Sequence, residues 1–194
     1  VLHNRSVEMA KRYGVKLVVL SSLTRAEGTI IKEKTSMEKM LVSGVAADKN
    51  TARISVIGVE DKPGIAFRIF DTLAGNNINV DIILQSVGRE GTKDISFTVA
   101  SDDLENAIRI LEENKKRLTI QDITWNEKVA KLSIVGAGMM SNPGVAAKMF
   151  DSLYNSRVNI NMISTSEIRI TVLVAEDDIE QAMIAVHDGF ALAD

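Results

Sequence analysis

Apolar residues recur in this chain with two distinct periods, near two and near 3.6, and the switching between them predicts the elements. Ile54, Val56 and Ile57 open a β-branched run that reads as a strand. From Ile65 onward, Ile65, Phe67, Ile69, Phe70 and Leu73 fall on one helical face, and Asn76-Asn77 ends that helix. Pro63 is expected at its first helical position, where a missing N–H costs nothing. Val80, Ile82 and Ile83 predict a second strand, and Ile95, Phe97 and Val99 alternate as a third. Asp102 and Asp103 are placed to cap a second helix and complement its dipole. Leu118, Ile120 and Ile123 supply a fourth strand.

The same pattern returns later in the chain. Ile54-Ser-Val-Ile-Gly58 matches Leu132-Ser-Ile-Val-Gly136, and Pro63–Leu73 matches Pro143–Leu153. Ile78–Ile83 matches Val158–Ile163, and Asp102–Ala107 matches Asp177–Ala182. The offset is 80 residues at the proline (63 to 143) and 75 at the end (102 to 177), so the first copy holds extra residues, assigned to a hairpin loop at 88–93. Four matches in one order mark an internal duplication. Each copy reads as βαββαβ, so the fold class is α+β: two ferredoxin-like modules, antiparallel sheets with helices on one face. The second copy lacks its fourth strand after the helix around Glu180–His187. The apolar segment Met40–Ala46 is expected to supply it, since an unpaired edge would otherwise lie open. That inserts module 1 (51–127) within module 2 (37–50 plus 128–194).

Residues 1–36 differ. Asn4–Tyr13 has a short helical pattern with Val7 and Ala10 inward, Lys16–Ser21 reads as a buried strand, and Glu27-Gly28-Thr29 as a turn. These pieces cannot bury a core alone and read as the end of a domain lying upstream. Val1 in place of Met agrees with a piece of a longer chain, and Met37 or Met40 would suit the start of a separate subunit.

Composition removes several function classes. The net charge is −3 and aromatics make up 4 %, which gives neither the basic field nor the stacking platform of a nucleic-acid binder. No cysteine is present, which excludes a thiol nucleophile, disulfides and thiolate metal sites, and two histidines (His3, His187) make a zinc cage improbable. The longest apolar runs, such as 17–20 and 172–175, are too short for a membrane, and charges at Arg5, Glu8, Lys11 and Arg12 interrupt any signal peptide. A cytoplasmic location is expected. Gly136-Ala-Gly138 lacks the third glycine and acidic partner of a dinucleotide loop, and Lys115-Lys-Arg117 reads as a solvated helix end.

The tandem modules resemble ACT domains, specifically the regulatory region of aspartate kinase. The resemblance is carried by Val1–Ser6, Gly44–Lys49, Asp61-Lys-Pro-Gly64, Asn79-Val-Asp81 with Gln85, Val135–Met139 and, above all, Ile163-Ser-Thr-Ser-Glu-Ile-Arg169. The Lys-Phe-Gly-Gly-Thr-Ser string of the kinase domain is absent. The resemblance implies residues 1–36 to be the end of the amino-acid kinase domain, and the chain to be a feedback region that senses lysine and/or threonine. It would partner an upstream catalytic domain or subunit that phosphorylates aspartate, and form a homodimer through its ACT modules. ATP and Mg belong to that parent enzyme, and no cofactor is expected in this chain. An alternative is a stand-alone ACT sensor acting on another partner.

The effector's carboxylate needs aligned donors, and a helix N-terminus offers free amides and partial positive charge. Pro63 and Gly64, with the amides of Ile65 and Ala66, are expected to serve it, while Asp61 faces the ammonium and Asn79, Val80, Asp81 and Gln85 form the strand side. For module 2 the resemblance implies Met139, Ser141, Asn142, Gly144, Val145 and Ala146, with Asn159, Ile160, Asn161, Thr165, Ser166 and Glu167 on the strand side, and a pocket walled by both modules. Plainer roles stand beside these: Pro63 and Pro143 as helix starters, Asp61 as a surface charge, and Asn79 and Asn159 as turn residues.

Overall fold

Strict alternation of buried and half-buried residues over Ala52–Val56 sets the inner strand of the first module: Ala52, Ile54 and Val56 face its core, while Arg53 and Ser55 face outward. A computed structural model of the protein describes residues 4–24, 28–31, 42–86, 91–136, 139 and 142–192. His3, Glu27, Met37, Met40, Ala137, Gly138, Ser141 and the first half of the 88–93 loop (88–90) lie outside the described residues.

The chain divides into two compact units, Val1–Met40 and Leu41–Asp194. The first holds helix α1 (Asn4–Arg12) and a ribbon of β1 (Leu17–Val19) against β2 (Thr29–Ile31), antiparallel with Leu17 opposite Ile31. The expected buried strand is in fact exposed at Val18 and Leu20, because a two-stranded ribbon offers no second layer to cover both faces.

The second unit carries two four-stranded antiparallel sheets. One is ordered β5-β6-β4-β7, from β4 (Ala52–Glu60), β5 (Ile83–Gln85), β6 (Thr92–Val99) and β7 (Asp122–Asn126). The helices α2 (Ile65–Ala74) and α3 (Leu104–Asn114) bury Ile65, Ile69, Leu73, Ala107, Ile110 and Leu111 against its inner face. Phe97 sits fully buried there, edge-on to Phe70 at 5.4 Å and 78°, a geometry worth about 0.5–1.5 kcal/mol beyond area burial. The other sheet is ordered β3-β8-β10-β9, from β3 (Gly44–Asp48), β8 (Val129–Val135), β9 (Met162–Thr165) and β10 (Arg169–Ala175). Helices α4 (Val145–Asn155) and α5 (Ile179–Gly189) cover its inner face through Val145, Met149, Leu153, Ile179, Ala182 and Val186. Its outermost strand β3 precedes module 1 in the chain and pairs with β8 from Gly44↔Val135 to Asp48↔Lys131.

Several local expectations change. Leu118 and Ile120 are buried but lie outside any strand, Leu118 in a turn, and the fourth strand of module 1 starts only at Asp122, since Thr119 at φ 53° breaks the extended path. Asp102 and Asp103 do not cap α3 with their side chains. A 3-10 turn at Ser101–Asp103 precedes that helix, and Asn50 accepts from the Ser101 amide at 2.9 Å.

Candidate functional site

The two Pro-Gly steps differ from expectation in a way that matters chemically. Helix α2 begins at Ile65, so Pro63 precedes the helix rather than opening it. Gly64 has φ 89° and ψ −6°, and the Ile65 amide donates to the Lys62 carbonyl at 3.3 Å. Lys62–Ile65 is therefore a type II turn, with proline at its second position and a left-handed glycine at its third. The amide of Ile65 is spent in that turn, while those of Ala66 and Phe67 find no acceptor among the described residues. Gly144 repeats the angles (φ 97°, ψ −4°) before α4. A side-chain carbon placed on Gly64 or Gly144 would meet no atom of the described residues within 4 Å, so both helix starts face open space among them.

Around the α2 start the charges are already engaged. Asp61 Oδ1 lies 2.7 Å from Lys93 Nζ, and Lys62 Nζ lies 3.0 Å from Glu60 Oε1. Gln85 ends β5 opposite Ile95, midway along β6 between the level of the turn (Glu60 opposite Thr92) and that of Thr98. Asn79, Val80 and Asp81 lie elsewhere. The Asp81 amide donates to the Thr98 carbonyl at 3.0 Å, and Thr98 pairs with Arg53, whereas Glu60 pairs with Thr92. Six residues of β6 separate those levels, about 20 Å of extended strand. Within one module, then, the helix start and the segment 79–81 occupy opposite ends.

Module 2 has the same division. Asn142, Gly144, Val145 and Ala146 gather at the helix start, with Met139 and Ala146 packed on the core. The hairpin of Thr165, Ser166 and Glu167 is at the same end: Thr165 pairs with Ile170, the Ser166 amide donates to the Arg169 carbonyl at 2.7 Å, and Arg169 pairs with Val135. Asn159, Ile160 and Asn161 lie at the other end, where the Asn161 amide donates to Leu173 at 2.8 Å. Asn159 and Asn161 are exposed, and Ile160 packs on the core.

The two strand-start ends meet each other. Ile82, Met162 and Leu173 form a small buried cluster between the modules. Beside it, Lys131 Nζ lies 2.7 Å from Asp81 Oδ2 and 3.0 Å from Asp48 Oδ2. Burial pulls the Lys131 pKa down, but the hydrogen bonds and charges of Asp81 and Asp48 outweigh it, so the ammonium titrates above the usual 10.5. A cleft of about 460 Å³ opens along the outer face of the second sheet and brings Asp81 together with Thr165 and Ser166. On that face Ser133 and Thr171 share a hydrogen bond of 2.8 Å, matched in module 1 by Ser55 and Ser96 at 2.7 Å.

Lys131 and Lys93 escaped the sequence reading. The signal for the first was present in Ala52-Arg-Ile-Ser55 and Ala130-Lys-Leu-Ser133, where each copy sets a cation between buried apolar neighbours. Among the described residues no group of three His, Cys, Asp or Glu side chains is placed to hold a metal ion, and no helix is long and apolar enough to cross a membrane.

Comparison with known proteins gives a consistent picture. The ACT domain family matches residues 54–114 and 132–190. An aspartokinase of Bacillus sp. (strain MGA3) is 47 % identical over 194 residues, covering 100 % of this chain and 47 % of the relative, so the chain spans about half of that relative's length. The crystal structure of aspartokinase alpha and beta subunits matches with a TM-score of 0.73 and 46 % identity, over 78 % of this chain and 99 % of that one. The ligand-free regulatory subunit of aspartate kinase from Thermus thermophilus matches with a TM-score of 0.72 and 40 % identity, over 77 % of this chain and 99 % of that one.

Proposed function

The chain belongs to the ACT domain family as an aspartokinase regulatory region, and from that premise we propose that it binds lysine and/or threonine and thereby restrains the phosphorylation of aspartate by ATP. The observation that carries the reading is the pair of open helix starts. At Gly64 and Gly144 the backbone turns left-handed and, among the described residues, nothing fills the space beside it. The free amides of Ala66 and Phe67 supply the donors and partial positive charge that a carboxylate needs.

The effector's ammonium would be met by Asp61 at the helix start and from the strand side. Because a module's own 79–81 or 159–161 segment lies at its far end, the helix start of one module would be closed by the strand segment of another chain, in a homodimer. Aspartate, ATP and Mg act at the catalytic partner. Binding restrains catalysis only if the effector prefers one arrangement of the dimer, so differential affinity is required. Calorimetric titration of the chain with L-lysine and with L-threonine tests the reading: saturable heat with at least one is expected, and the absence of heat and of thermal shift with both would overturn it. Asp61→Ala and Ser166→Phe are each expected to weaken binding by roughly tenfold or more, in line with losing a charged contact or blocking a small one.

A further inference from the structure

The cations Arg53 and Lys131 occupy the same position in the two copies, yet their surroundings differ. Lys131 has Asp48 across the ladder and Asp81 from the other module. Arg53 has Asn126 across the ladder, the residue matching Asp81 is Asn161, and the Arg53 Nε is buried without a hydrogen-bond partner. Carboxylates thus stand at one site where its twin has amides. The Lys131 side chain is only 17 % exposed, so its two ion pairs are less screened than surface pairs.

We infer that Lys131 is a positioning residue which tethers the Asn79–Asp81 segment of module 1 to the sheet of module 2, so that ligand occupancy at one module alters affinity at the other. The inference rests on the proposed amino-acid binding at these segments. The tether is one-sided in structure, but the coupling it carries is reciprocal, as any coupling free energy must be. Asp48 holds Lys131 from within module 2, and Asp81 receives it across the boundary. A ligand ammonium near residues 79–81 therefore meets a carboxylate whose second partner belongs to the neighbouring module.

The test uses the 194-residue chain, Lys131→Met, the charge-balanced double variant Lys131→Met with Asp48→Asn, and Asp48→Asn alone. Without ligand, hydrogen exchange at the amides of Asp81 and Ile82 is expected to quicken at least tenfold in both Lys131 variants and to stay within twofold in Asp48→Asn, with Val172 unchanged in all. With L-lysine and L-threonine as probes, the factor by which one changes the dissociation constant of the other is expected to exceed fivefold in the parent chain and to fall below twofold in both Lys131 variants. Unchanged exchange at Asp81 and Ile82 in both Lys131 variants overturns the tether. Quickened exchange with the coupling factor retained, or no coupling in the parent chain, overturns the coupling. If the parent chain binds neither amino acid, the proposed function fails and the coupling with it, while exchange still decides the tether.

Discussion

Gly64 and Gly144 sit in left-handed backbone with no neighbour near an added carbon, so alanine there is charged only for its own backbone conformation. Gly64→Ala is expected to cost about 1–2 kcal/mol, measured by urea unfolding. Gly58→Ala should cost more, because at φ 66° its added carbon would also run into the Gln121 side chain. Lys131 gives a pH signature with a defined sign. Its folded-state pKa is raised, so its contribution to stability is whole below the unfolded value of 10.5 and is lost as pH rises through the higher folded value. Denaturant midpoints measured across that alkaline range should fall in the parent chain and flatten in Lys131→Met. At this scale the sequence was partly readable. The Pro-Gly pair announced a special turn, but whether proline sat inside the helix or before it depended on a single positive φ that residue type allows without requiring. The partner of Lys131 was out of reach, since Asp81 lies 50 residues away in a different module.

The strands show how one hydroxyl can move an element boundary. The residues matching in the two copies are Ile82 and Met162, yet β9 starts at Met162 while β5 starts only at Ile83. The cause is Thr98, whose buried Oγ1 accepts the Ile82 amide at 3.0 Å and diverts it from a regular ladder; Leu173 at the matching place has no such group. Thr98→Val leaves that amide unpaired in a buried setting and is expected to cost about 1–3 kcal/mol, read by unfolding and by faster exchange at Ile82. Period-two and period-3.6 patterns located the helices and inner strands well, because burial on one face dictates them. The shortened β5 and the delayed start of β7 turned on side-chain hydrogen bonding and on the positive φ of Thr119, which hydrophobic spacing does not encode.

Across the whole molecule, duplication was the readable feature, and the two sheets repeat each other down to the hydroxyl pairs on their outer faces. The meeting of the two strand-start ends around Ile82, Met162 and Leu173 was not readable, since apolar residues at those places suit a core within one module equally well. Ile82→Ala should therefore loosen the association of the modules more than either core, seen as exchange quickening around 79–82 and 159–162 while Ile54 and Ile134 stay protected. With the effector site completed by a second chain as proposed, the span of about 20 Å between the ends of a module has a physiological corollary. A receptor finished only by pairing loses its ligand whenever it falls apart, so the same dose of amino acid would act strongly in a crowded, well-expressed cell and weakly after dilution. Feedback of this kind would meter the abundance of the regulator along with that of the metabolite.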